Sequence, residues 1–98
     1  MRDVGGTSFE LLGGTGRSQA AAMTLAAGSS TGGPDNRHDG SDQWLYVVSG
    51  SGEATIDGAR VPLEAGDLLL IAAGEAHEIR AAEHHDLVTV NVYAPPEY

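Results

Sequence analysis

Apolar and polar residues alternate along most of this chain in short runs, and glycines cut the runs apart. Residues 7–12 and 44–49 are rich in β-branched, aromatic or leucine side chains, a composition that favours strands. Residues 87–93 set Val88, Val90 and Val92 against Thr89 and Asn91 and predict a closing strand. In 77–81, His77, Ile79 and Ala81 point one way and Glu78 and Arg80 the other, as in a half-buried strand. The unbroken apolar run 68–71 predicts a strand buried on both faces. Residues 53–57 and 60–63 flank Asp57-Gly58, a dipeptide that takes the positive φ pair of a tight hairpin. One segment reads differently. Residues 17–27 hold five alanines between Ser18, a possible N-cap, and Gly28, a possible C-cap, so propensity alone predicts a helix there.

With 98 residues the chain has room for one core, and a fold that buries only about two thirds of its unfolded surface gains from oligomerisation. There is no cysteine, so disulfides, thiolate nucleophiles and sulfur-ligated metals are excluded, and histidine and oxygen ligands remain. Met1 is followed by Arg2, Asp3 and glycines, and no apolar run approaches the roughly 20 residues of a membrane span. The expected address is the cytoplasm. Fourteen acidic against five basic residues give a net charge of -9, which repels phosphate backbones and anionic membranes. Neither nucleic acid nor membrane is an expected partner. The acids are scattered, as on a solvated surface.

The candidate chemistry concentrates in residues 33–50 and 66–77. On strand spacing Asn36 and His38 share a face, and Gln43 shares one with Leu45 and Val47, so these side chains can converge inside a barrel. His77, from a strand far along the chain, would complete the cluster. The remaining candidates are plainer. His84-His85, between Glu83 and Asp86, reads as a solvated turn. Trp44 and Tyr46 fall on the face opposite Gln43, suited to core or interface packing. Asp35, Asp39 and Asp42 read as turn formers. No serine stands in a nucleophile-elbow context.

Asn36-x-His38, four residues, Gln43, six residues, Gly50 resembles the first motif of the cupin superfamily. Gly66, Gly74 and His77 resemble its second, with Ala72 and Ala81 where the motif has Pro and Asn. The resemblance covers about residues 19–98, with motif one near 33–50 and motif two near 66–81, and implies an all-β fold, a small double-stranded β-helix (jelly-roll) barrel forming a single domain over 1–98. It also turns 19–25 into a strand despite its alanines. It implies a divalent transition metal, Fe, Mn, Ni, Zn or Cu, held by Asn36, His38, Gln43 and His77. Metal cupins use three imidazoles and one carboxylate, whereas Asn36 and Gln43 offer only neutral carbonyl oxygens. Such a set holds a divalent ion more weakly and less selectively. The alternative is a pocket in which these residues serve as hydrogen-bonding groups.

Two function classes follow. One is a module that binds a small polar or anionic molecule in the barrel. The other is a metal-dependent enzyme of dioxygenase, isomerase, decarboxylase or lyase type, with an open coordination position. Glu53, Glu64, Glu75 and Glu78 fall in turns or on outward positions, so no general acid or base accompanies the metal positions, which favours binding. A homodimer is expected, because an apolar outer face at Trp44, Tyr46 and Val48 gains by being covered.

Overall fold

The computed structural model describes residues 2–4, 7–31 and 40–96. Among these residues there are nine strands and no helix: β1 (Arg2–Val4), β2 (Thr7–Gly14), β3 (Gln19–Leu25), β4 (Asp42–Ser49), β5 (Ser51–Ile56), β6 (Ala59–Glu64), β7 (Leu68–Ile71), β8 (His77–Ala81) and β9 (Leu87–Ala94). They form a six-stranded sheet in the order β1-β2-β3-β9-β4-β7 and a three-stranded sheet in the order β6-β5-β8. All the strand pairs are antiparallel. A bridge between Ser30 and Arg80 runs the chain alongside β8 before β4 begins. No helix among the described residues is long and apolar enough to cross a membrane.

Between the sheets Met23, Leu25, Leu45, Val47, Ala54, Leu63, Ile71, Ile79, Ala81 and Leu87 form the buried hydrophobic core. The period of two along each strand generates it. In β4, Gln43, Leu45 and Val47 are buried while Asp42, Trp44, Tyr46 and Val48 are exposed. The Asp57-Gly58 hairpin forms as expected, with φ of 47° and 86° at the two turn residues and Ile56 paired to Ala59.

The helix that propensity predicts over 17–27 does not form. Residues 19–25 are flanked on both sides, by β2 from Ser8 to Gly14 and by β9 along their whole length, so ladder hydrogen bonds outweigh alanine's helical preference. The run 68–71 is not buried on both faces either. Ile71 is buried, but Leu68 and Leu70 are 61% and 43% exposed, opposite Tyr46 and Trp44 on the outer face of the sheet. The run is continuous because that outer face is itself apolar. In β9 the polar half of the alternation turns inward: Thr89 and Asn91 are fully buried, and Val92 is exposed.

Candidate functional site

Gln43 enters the interior from β4, in register with Tyr93 on β9 and Ile71 on β7. Tyr93 in turn pairs with Gln19 on β3, so Gln19, Tyr93, Gln43 and Ile71 make one row across the sheet. The next rows inward are Ala21, Asn91 and Leu45, then Met23, Thr89 and Val47. The interior is therefore graded, with amides at one end and Leu25 and Leu87 at the other. From Ile71 the chain crosses through 72–76 to the other sheet and begins β8 with His77. Gln43 and His77, only 4% and 5% exposed, thus stand at the same end of the barrel on facing sheets.

The 72–76 crossing is tied down by its own polar groups. Glu75 Oε1 accepts from Ala72 N at 2.6 Å, and Gly74 takes a φ of 85°. Ala76 N donates to Asp57 Oδ1 and Asp57 N to Ala76 O, each at 2.8 Å, which binds the crossing to the β5–β6 hairpin. His77 Nδ1 lies 3.2 Å from the Glu75 carbonyl oxygen. A carbonyl only accepts, so the neutral tautomer that fits this contact carries its proton on Nδ1, and in that tautomer Nε2 would be the nitrogen to meet a metal. Across the barrel, Gln43 Nε2 donates to Asn91 Oδ1 and Asn91 Nδ2 donates to Thr89 Oγ1, both at 3.0 Å. Gln43 Oε1 is buried without a hydrogen-bond partner among the described residues.

Asn36 and His38, together with Asp35 and Asp39, lie outside the described residues. The start of β4 just beyond them is fixed: Ser41 Oγ donates to Pro95 O at 2.6 Å, and Asp42 Oδ1 accepts from Ala73 N at 2.9 Å. Asp42 is therefore not the local turn former expected of it: it opens β4 and its carboxylate binds the distant 72–76 crossing. His84 and His85 are exposed in the turn before β9, and Asp86 beside them accepts from Ala27 N at 2.9 Å. Asn91, Thr89 and Tyr93 join the interior unannounced by any motif; the only sequence signal was the alternation in 87–93, which does not say which half faces in.

The donors present at this end of the barrel suit a metal. A cation wants a lone pair that nothing else has taken, and Gln43 Oε1, buried without a partner among the described residues, offers one. An amide oxygen and an imidazole nitrogen are donor types that suit a borderline first-row divalent ion. No group of three or more His, Cys, Asp or Glu side chains gathers as a metal cluster among the described residues.

A model of the cupin domain family (Cupin_2) matches residues 21–93. The chain belongs to the cupin family. An oxalate-binding protein of Thermotoga maritima is 36% identical to this cupin over 67 residues, 68% of this chain and 54% of the relative, so the chain spans about half the length of that relative. Among solved structures, KdgF from a Halomonas species superimposes with a TM-score of 0.86 at 25% identity, over 97% of this chain and 84% of that one. A predicted oxalate decarboxylase from Thermotoga maritima has a TM-score of 0.72 at 32% identity, over 80% of this chain and 66% of that one.

Proposed function

We propose that this cupin binds a small anionic molecule of the oxalate class at the polar end of its barrel, through a divalent transition metal held by His38, His77 and Gln43 with Asn36 beside them. The observation that carries the reading is the buried Gln43 Oε1 with no partner among the described residues, in the interior at the same end as His77. An oxalate-binding relative supports the anionic guest. With only neutral ligands the ion keeps its full charge, and a carboxylate supplies the missing negative charge inside a low-dielectric interior.

Binding is favoured over turnover because the buried polar residues among those described are Ser41, Gln43, His77, Thr89 and Asn91, with no carboxylate to act as general acid or base. The enzymatic alternative, of decarboxylase type, draws its support from the neighbour named a predicted oxalate decarboxylase. The apolar outer face supports a homodimer, and the cytoplasm remains the proposed location.

The test is elemental analysis of protein purified without affinity-tag metal, followed by calorimetric titration with oxalate. One metal per chain is expected in the wild type and a sharp loss in His38→Ala and in His77→Ala. Full metal content in both variants, or none in the wild type after both aerobic and anaerobic purification, refutes the metal site.

A further inference from the structure

Gln43 is held by a short column of side chains that no motif contains. From the polar end downward it runs Gln43 Nε2 to Asn91 Oδ1 and Asn91 Nδ2 to Thr89 Oγ1, at 3.0 Å each. All three residues are at least 96% buried, so water does not compete for these bonds. A primary amide can present either its oxygen or its NH2 to a guest, and what decides between them is the partner on the other side.

The column has a direction. Thr89 ends it with a hydroxyl, which can accept from Asn91 and still donate elsewhere. In the reverse arrangement Thr89 would donate to Asn91 Oδ1 and Asn91 Nδ2 to Gln43 Oε1, placing an NH2 where there now stands a carbonyl oxygen that has no partner among the described residues. Orphaned N–H groups are the rarer and costlier case in protein interiors, whereas under-satisfied carbonyls are tolerated. The column therefore settles with the Gln43 oxygen turned away from Asn91.

We propose that Asn91, backed by Thr89, is a positioning residue that fixes the Gln43 amide with Oε1 presented to the guest. This rests on the polar end of the barrel being the binding site, and it narrows the chemistry accepted there. The group that meets Gln43 is a cation or a hydrogen-bond donor; a bare carboxylate is repelled by that oxygen and enters only on the far side of a bound metal.

The test uses the full chain labelled with nitrogen-15. The Gln43 side-chain NH2 signal is identified by its disappearance in Gln43→Glu. It is expected to exchange slowly with solvent in the wild type and in Asn91→Asp, whose carboxylate still accepts from Nε2. In Asn91→Leu it exchanges faster while the backbone amide spectrum keeps its dispersion. Zinc affinity, titrated in parallel, falls about tenfold or more in Asn91→Leu and is retained in Asn91→Asp, the range typical of groups that orient a metal ligand. If Asn91→Leu does not fold, Thr89→Val carries the same test, since without the hydroxyl Asn91 turns its Nδ2 towards Gln43 and reverses the column. Fast exchange in the wild type, or equal protection in wild type and Asn91→Leu, overturns the proposal. If zinc fails to bind the wild type while the NH2 protection follows the expected order, the metal reading falls and the positioning role stands.

Discussion

In the proposed metal site Gln43 stands where the motif it resembles has a carboxylate, and an amide there removes a charge while keeping the shape. Gln43→Glu restores the charge. A divalent ion and a carboxylate about 4 Å apart at an effective dielectric constant near 20 attract by roughly 8 kcal/mol, and desolvating the carboxylate consumes most of that. A net gain of about one to two orders of magnitude in metal affinity is expected, together with weaker binding of oxalate, because the site no longer needs an anion from outside. Calorimetry on both proteins, first with one metal and then with oxalate, checks this pair of opposite shifts; if neither affinity moves in a folded variant, Gln43 does not touch the ion. The residues on either side of this position differ in how readable they were. Gln43 and His77 could be placed from motif spacing, which fixes where a side chain enters the barrel. Asn91 and Thr89 could not, because their role depends on the β4–β9 register, which brings residues 48 apart in sequence into hydrogen-bond contact.

At the scale of elements, glycines do more to shape the barrel than propensity does. Gly50 joins β4 to β5 with a φ of 86°, and a Cβ there would run into the backbone carbonyl of Asp86. Gly58 in the β5–β6 hairpin has the same φ of 86° but faces open space. Alanine at Gly58 should cost about 1 kcal/mol for the left-handed conformation alone. At Gly50 the backbone collision adds to that strain, and about 2–4 kcal/mol is expected. Urea melts of the two variants should separate them clearly; equal midpoints would mean that the turn before β5 relaxes around the new methyl group. The strand-forming glycine spacing and the hairpin were readable in the sequence. Propensity alone misreads β3, since its alanines favour a helix in isolation and become a strand only when β2 and β9 lie on either side; the family resemblance gave the strand at 19–25, and it forms there. The reading of β7 failed for a related reason, because an apolar residue facing outward looks the same in sequence as one facing the core.

At the scale of the whole molecule that outward apolar face is what the dimer proposal rests on. On adjacent strands Leu70, Trp44 and Val92 form one row and Leu68, Tyr46 and Val90 the next, with Trp44 and Tyr46 42% and 45% exposed. A contiguous patch of this kind on a small domain is a place for a partner, and two copies meeting through the same face would make a two-fold dimer, for which about 800 Å² per partner is usual. The opposing term is charge, since each chain carries -9. Repulsion between exposed charges is screened over about 10 Å at 0.1 M salt and about 3 Å at 1 M, whereas burial of apolar surface is not weakened by salt in this way. Sedimentation should therefore show a dimer at micromolar concentration whose dissociation constant falls several-fold as salt rises from about 0.05 to 0.5 M. Trp44→Glu should give a folded monomer, because the side chain it replaces lies outside the core, while placing two further charges at the contact. A wild type that stays monomeric at high salt, or a Trp44→Glu variant that dimerises as well as the parent, would show that this face is not the contact and that the outward leucines of β7 serve something other than self-association.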